Sequence, residues 1–148
     1  MKLLSLKASR YRSLREETIF LSDLNLFIGI NASGKSTILD ALSFLHEGLQ
    51  QRDFGPGVSS RGAMVSLAWA GEETADIELT VELREDTAAY EWKVRLRRIG
   101  PSDFSVCEEV IQKPVSNLCE MLLLKANDGK GWWLSGEKQV PLALNGIS

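Results

Sequence analysis

The feature that most constrains the fold of this chain is the glycine-rich stretch "FIGINASGKSTILDALSFL" at residues 27–45. It contains the spacing G-x-x-x-x-G-K-[ST], which is formed by Gly29, Gly34, Lys35 and Ser36. In a loop of this type, backbone N–H groups at the start of a helix wrap phosphate oxygens. A chance match in a chain of this length is roughly one in a few hundred. The spacing therefore predicts a phosphate-binding loop.

Each residue type in the loop has a chemical reason. Glycine lets the backbone bend and approach oxygen atoms that a Cβ would block. Lys35 is expected to reach the β and γ phosphates, and the hydroxyl of Ser36 is expected to bind Mg²⁺. The N–H groups from Ser33 to Thr37 are the expected oxyanion donors. A glycine turn with a solvated lysine is the alternative, but it does not explain why the turn joins a strand to a helix.

The sequence around the loop predicts short elements on both sides of it. Apolar positions in residues 3–8 and 18–21 predict two short strands joined by a basic turn. The run "LNLFIGI", residues 24–30, predicts a strand that is buried on both faces in a parallel sheet. Residues 35–48 predict an amphipathic helix, and Gly48 stands where a left-handed helix end is expected.

The second half of the chain has a different pattern. Apolar and polar residues alternate over residues 75–83 and 90–98, which predicts half-buried antiparallel strands with a turn between them. Residues 104–112 predict another strand, and residues 121–144 predict a hairpin followed by a further short strand. We therefore expect an α/β fold in one partial domain. Its parts are strands, phosphate loop and helix at 1–49, a polar loop at 50–63, and an antiparallel β-subdomain at 64–148.

Charge, apolar runs and cysteine content indicate which partners and sites the chain is expected to lack. The chain has 148 residues, a net charge of -3 and a pI near 5.3. Nonspecific nucleic-acid binding by this piece alone is not favoured, although a local basic patch stays open. Apolar runs fall short of a membrane span, so we expect no membrane partner and a cytoplasmic protein. Cys107 and Cys119 have no metal-site grouping and are expected to be small hydrophobic residues.

Two stretches carry a resemblance to a known family. The run "LKASRYRSL", followed by "LSDLNLFIGINASGKSTILDALSFL", resembles the amino-terminal half of ABC-type ATPases of the RecF/SMC group, which includes AAA-like ATPases of the OLD-nuclease and phage-defence type. The match is most specific over residues 7–45. The resemblance implies a P-loop NTPase fold, as the amino-terminal lobe of an ABC-type head with a parallel core strand, a P-loop helix and an antiparallel β-meander. It also implies ATP and Mg²⁺ as ligands.

The resemblance adds candidate contacts to the loop. Arg12 and Ser13 occupy the "FRS" motif of the family and look like phosphate or base contacts, with a solvated turn as the alternative for Arg12. Asn31 is expected either to orient the γ-phosphate side or to bond nearby backbone. Ile30 and Ala32 stand where the family usually has Pro and often has Gly. If Ala32 needs a positive φ, the strain is about 1 kcal/mol, which weakens binding without abolishing it.

The sequence also lacks parts that ATP hydrolysis requires. An apolar strand that ends in Asp-Glu, which holds the metal and positions water, is absent from the chain, so we expect no catalytic residue within it. The run "LSGEK" at 134–138 resembles the ABC signature but lies between predicted strands. The simplest interpretation is the amino-terminal portion of a longer ATPase, inactive alone, whose partners are its own carboxy-terminal lobe and a second head.

Three functions remain at this point. The resemblance implies an ATPase in DNA repair, chromosome maintenance or defence, and it leaves DNA open as a partner of the full protein. A stand-alone, non-hydrolytic nucleotide-binding module is the first alternative. A fragment of an ABC transporter ATPase is the second, and it is disfavoured because the "YRSL" entry and the long run of strands fit the RecF side better.

Overall fold

A computed structural model describes most of the chain: residues 1–70, 75–100, 103–113, 121–127, 130–135 and 138–142, with side chains as far as residue 112. The elements in chain order are β1 (Lys2–Tyr11), β2 (Leu14–Phe20), α1 (Lys35–Gln51), α2 (Gly55–Ser60), α3 (Ala63–Leu67), β3 (Ile77–Glu85), β4 (Ala88–Arg98), β5 (Phe104–Lys113), β6 (Met121–Asn127), β7 (Lys130–Ser135) and β8 (Lys138–Leu142).

The strands form one sheet of eight in the order β2-β1-β3-β4-β5-β6-β7-β8, and every neighbouring pair is antiparallel. The predicted antiparallel strands of the second half are therefore confirmed as a meander from β3 to β8. The strands of the first 20 residues pair beside them in the same sheet. The basic turn between β1 and β2 is shorter than predicted, since only residues 12–13 separate the two strands.

Alternation along the strands gives the sheet an apolar face and a charged face. Leu6, Val81 and Trp92 lie opposite one another on neighbouring strands and are buried on the apolar face. One residue further along, Lys7 and Lys93 lie in register on the other face, where they form ion pairs with glutamates. The core therefore sits between the apolar face and the three helices.

Helix α1 is longer than the sequence predicts. Ala41, Phe44 and Leu45 are buried on its inner face, as the helical spacing requires. The prediction that Gly48 ends the helix is wrong, because α1 continues to Gln51 and the left-handed residue is Arg52, with φ 54°. Gly48 serves packing instead: a Cβ at this position would overlap the ring of Phe54.

The predicted polar loop at 50–63 is also wrong in part, because α2 and α3 lie within and just after it. Their apolar residues are few but correctly spaced for helices. Phe54 and Val58 are four residues apart, Met64 and Leu67 are three apart, and all four are buried in the core. Glycine, proline and serine around them hide this pattern in the sequence.

The predicted parallel core strand at residues 24–30 is wrong for the described structure, which has no strand there. The side chains of Leu24, Leu26, Ile28 and Ile30 are between 81% and 88% exposed. A strand that is buried on both faces needs neighbouring strands and covering layers. Within the described ranges, every strand pairing is made by the antiparallel sheet, so nothing pairs with this segment.

Three sequence predictions fall wholly or partly on residues without a description. Cys107 is a buried free thiol on β5, as predicted for a small hydrophobic residue, whereas Cys119 lies outside the described residues. The "LSGEK" run covers the end of β7 and the start of β8, and its residues 136–137 also lie outside the description. The tip of the last predicted hairpin, residues 128–129, does so too.

Candidate functional site

The glycine-rich loop enters α1 through two left-handed residues. Gly34 has φ 89° immediately before the first helical residue, and Ala32 has φ 65°. Between them, the N–H of Ser33 donates to the carbonyl oxygen of Ile30 at 3.3 Å, which closes a turn. Ala32 is therefore in the conformation that the sequence analysis associated with strain, since a Cβ is disfavoured at positive φ.

Lys35 folds back over this loop. Its Nζ donates to the carbonyl oxygens of Gly29 at 2.8 Å and Ile30 at 2.6 Å, and to Oγ of Ser33 at 3.1 Å. An ammonium group has three N–H donors, so loop oxygens take all of them. The side chain is thus held against the loop, in hydrogen bonds that are exposed to solvent.

The start of α1 offers further donors to an anion. The first N–H groups of a helix have no partner within the helix, and residues 34–37, which carry them in α1, line one cavity. Among the described side chains, none caps α1, and its first turn contains no acidic residue. The helix dipole and Lys35 add positive potential at the same place. The N–H of Ser33, a predicted donor, is already bonded within the turn.

These groups line an open cavity of about 320 Å³. The cavity brings together eight of the ten predicted site residues: Ser13, Asn31, Ala32, Ser33, Gly34, Lys35, Ser36 and Thr37. Gly29 takes part through its carbonyl oxygen, which accepts from Lys35. Arg12 is not among the lining residues.

The turn between β1 and β2 reaches this cavity through Ser13. The hydroxyl oxygens of Ser13 and Thr37 are 2.8 Å apart and share a hydrogen bond. Arg12, one residue earlier, has φ 50°, and its backbone N–H donates to the carbonyl of Leu67 at 2.7 Å. Its Nε lies 3.2 Å from Oδ2 of Asp40 on α1. The structure thus places Arg12 beside the cavity and against the helix.

Asp40 lies behind the cavity lining and is a residue that the sequence analysis missed. Its Oδ2 accepts a hydrogen bond from the hydroxyl of Tyr11 at 2.7 Å, and its Oδ1 accepts one from Nε of Arg61 at 2.9 Å. Tyr11 is fully buried, and burial together with the Asp40 hydrogen bond raises the pKa of its hydroxyl. The phenol therefore stays neutral and acts as a donor.

Arg61 and Glu47 complete this group. Two guanidinium nitrogens of Arg61 donate to the two oxygens of Glu47, at 2.6 and 2.8 Å. Hydrogen bonds from Arg61 first and Ser43 second lower the pKa of Glu47 to about 2. The signal in the sequence was the spacing of Asp40 and Glu47, seven residues apart and so on one helical face. Their common partner, Arg61, follows Glu47 by 14 residues, and the sequence does not show that it contacts either carboxylate.

Comparison with known families shows where the chain belongs. A family profile described as an AAA ATPase domain matches residues 1–128, which include the whole loop and α1. The chain belongs to the AAA ATPase domain family. An AAA ATPase domain implies the use of ATP, usually together with Mg²⁺. Comparison with curated proteins returned no match to the chain.

The residues present fit the ligands of an AAA ATPase domain. The cavity supplies the chemistry that a polyphosphate needs: helix N–H donors, one ammonium group and small side chains. The hydroxyl of Ser36 is placed in the lining, where a metal ligand is expected.

Among the helices that the structure describes, none is both long and apolar enough to cross a membrane.

Proposed function

We propose that this chain binds Mg²⁺·ATP in the cavity at the start of α1 and is the amino-terminal lobe of a RecF/SMC-like ABC ATPase. The observation that carries the proposal is the position of Lys35, whose ammonium group lies within the loop, beside the helix N–H donors. The ammonium group of Lys35 donates to backbone carbonyl oxygens of the loop. Phosphate oxygens of a bound nucleotide would lie at the same place and could replace these carbonyl partners.

Each part of the cavity has a distinct role in this proposal. The N–H groups of residues 34–37 donate to phosphate oxygens, and Lys35 exchanges carbonyl partners for the β and γ phosphates. Ser36 supplies a hydroxyl ligand to Mg²⁺. Asn31 and Ser13 lie at the rim of the same cavity and contact the nucleotide there.

The described lining of the cavity suits phosphate binding but supplies no carboxylate that could position water. Its lining residues carry hydroxyl, amide and ammonium groups, and none of these lining residues is acidic. Hydrolysis of a phosphoanhydride requires a residue that positions the attacking water. We therefore assign turnover to a complete ATPase, in which a carboxy-terminal lobe and a second head supply the missing groups. DNA repair, chromosome maintenance or defence is the setting that the resemblance supports, with DNA as a partner of the full protein.

The exposed segment at 24–30 supports a carboxy-terminal lobe as the neighbour of this chain. Its alternate residues Leu24, Leu26, Ile28 and Ile30 are all exposed and lie directly before the phosphate loop. Water-exposed apolar side chains in such a row are typical of an interaction site. A carboxy-terminal lobe that packs on this segment would remove the row from water.

Phosphate release from ATP tests this proposal. The chain alone should show no turnover above background, whereas the chain mixed with the carboxy-terminal part of its parent protein should hydrolyse ATP. The restored rate should rise more steeply than linearly with protein concentration, because a second head completes each site. The Lys35→Ala variant in the same mixture is the matched control and should stay at background.

Two outcomes contradict the proposal. Hydrolysis by the chain alone that depends on Lys35 would reveal a catalytic carboxylate within it. ATP binding that the carboxy-terminal part leaves unchanged, with no turnover in the mixture, would favour the stand-alone nucleotide-binding module.

A further inference from the structure

Arg61 is a nearly buried cation that connects two carboxylates of one helix. Its side chain is 9% exposed, and it donates to both Asp40 and Glu47 on α1. It also donates to the carbonyl oxygen of Gly57 at 3.1 Å, and its guanidinium lies 5.4 Å from the ring centre of Phe44. A buried guanidinium is tolerated only where its donors are paired, so its orientation is fixed by these contacts.

Asp40 connects Arg61 to the phosphate cavity. It lies one helical turn after Ser36, and its second oxygen is shared by Tyr11 and Arg12. Those two residues directly precede Ser13, whose hydroxyl bonds Thr37 in the cavity lining. The turn between β1 and β2 is thus held against the first turns of α1 at two points, Asp40 and Thr37.

The two oxygens of Asp40 have separate partners. Oδ1 is bound by Arg61 alone among the described contacts, whereas Oδ2 takes Tyr11 and Arg12. The contact to Oδ1 therefore fixes the plane of the Asp40 carboxylate. That plane sets the position from which Oδ2 contacts the turn between β1 and β2. Without the contact to Oδ1, the carboxylate is held only through Oδ2, so its plane is fixed less firmly against the turn.

We propose that Arg61 is a positioning residue for the phosphate cavity and that it acts through Asp40. The consequence for affinity rests on the proposed function. By holding Asp40, Arg61 keeps the Tyr11–Arg12 backbone in place and so keeps Ser13 on Thr37. Its loss opens one wall of the cavity while the loop around Lys35 remains.

Titration of Mg²⁺·ATP into the variants Arg61→Ala, Asp40→Asn and the double variant tests this coupling. Each single change should weaken binding about tenfold, and the double variant should be no weaker than either single, since residues that act through one contact are non-additive. Arg61→Lys keeps the charge but cannot pair with both carboxylates, so it should bind with intermediate affinity and serves if the alanine variant fails to fold.

A matched control separates positioning from stability. Arg97 also makes a two-point pair with an acidic residue, Asp76, at 3.1 and 3.0 Å, but its side chain is 51% exposed and lies away from the cavity. Arg97→Ala should lower the melting temperature and leave nucleotide affinity unchanged. If Arg61→Ala and Arg61→Lys, both folded, lower only the melting temperature, Arg61 is a structural residue and the proposal is overturned.

Amide hydrogen exchange without nucleotide gives a readout that does not depend on ATP binding. The N–H of Arg12 bonds Leu67, and the N–H of Ile38 bonds Gly34, so these two amides report the turn and the helix start. Both should exchange faster in the folded Arg61 variants, while amides of β3 and β4 should not change. Faster exchange in a protein that does not bind ATP would contradict the proposed function and support the positioning role. Unchanged exchange at Arg12 and Ile38 would overturn the positioning role.

Discussion

Ser13 and Thr37 are 24 residues apart in sequence, yet their hydroxyl oxygens are 2.8 Å apart at the mouth of the phosphate cavity. One belongs to the turn between the first two strands, and the other belongs to the first turn of α1. The contact connects the antiparallel sheet to the proposed nucleotide site. A change in the turn can therefore reach the phosphate loop without altering the loop sequence.

Lys35→Ala should weaken Mg²⁺·ATP binding by about 2 kcal/mol, the scale of a hydrogen bond to a charged group. The ammonium group that now lies on the carbonyl oxygens of Gly29 and Ile30 is lost. Isothermal titration measures the effect. Lys93→Ala, which removes a lysine paired with Glu108 on the sheet, is the control and should bind as tightly as the unmodified chain. Equal affinity for both variants would refute the phosphate loop.

Ala32→Gly should stabilise the chain by about 1 kcal/mol and strengthen ATP binding slightly, because Ala32 has φ 65° and glycine adopts this region without strain. The converse change, Gly34→Ala, should destabilise by about 1 to 2 kcal/mol, since Gly34 has φ 89°. Its added Cβ meets only ordinary contacts at 3.5 Å, so strain is the cause. Urea unfolding measures the free energy of unfolding of both variants. If the two substitutions change it in the same direction, this account is contradicted.

Arg12→Ala should weaken ATP binding by about 1 to 3 kcal/mol if its guanidinium leaves Asp40 for a phosphate. Asp40 keeps Tyr11 and Arg61 as partners, so the fold should tolerate the change. Arg15→Ala on the same hairpin removes an arginine stacked on Trp69 and is the matched control. An Arg12 variant that folds and binds ATP with unchanged affinity would restrict Arg12 to its contact with the helix.

Stability at acidic pH should depend on Glu47. Its pKa is lowered from 4.5 to about 2 in the folded chain, chiefly by the hydrogen bonds from Arg61. A carboxyl group with a depressed folded pKa stabilises the fold above its unfolded pKa. That contribution is lost as the pH falls from about 4.5 towards about 2.

Urea unfolding at pH 6 and pH 3 measures the effect. The unmodified chain should lose more stability between these values than Glu47→Gln does. Glu16→Gln on the exposed edge strand β2 should behave like the unmodified chain. If Glu47→Gln loses as much stability between pH 6 and pH 3 as the unmodified chain, the pair with Arg61 contributes nothing to the pH dependence of stability.

Ile28→Asp should leave the unfolding free energy of the chain within about 0.5 kcal/mol, because an exposed side chain makes few contacts to lose. If the proposed carboxy-terminal lobe packs on this segment, the same change should prevent assembly with it, since the aspartate would be buried at the contact. Ile99→Asp, at another exposed isoleucine, is the control and should assemble normally. Sedimentation of the mixtures distinguishes them, and normal assembly by both variants would exclude the segment at 24–30 as the contact.

Prediction from sequence succeeded where the determinant was local. The strands of the second half were predicted because side chains alternate within each strand, and turn residues separate the strands. Phosphate binding by the loop residues stays a prediction from their spacing, although the structure brings most of them together around one cavity. The sequence does not decide the role of Tyr11, since a buried aromatic residue and a ligand contact look alike in sequence. The structure buries it fully against α1.

The sequence by itself determined the antiparallel strands, the amphipathic helix and the order in which they follow the glycine-rich loop. Only the tertiary structure decided that residues 24–30 lie exposed, that Gly48 packs against Phe54, and that Arg61 joins Asp40 to Glu47. The physical reason is that periodicity and turn chemistry act within a few residues. Burial of a strand, and pairing of a buried charge, depend instead on partners that are distant in the chain.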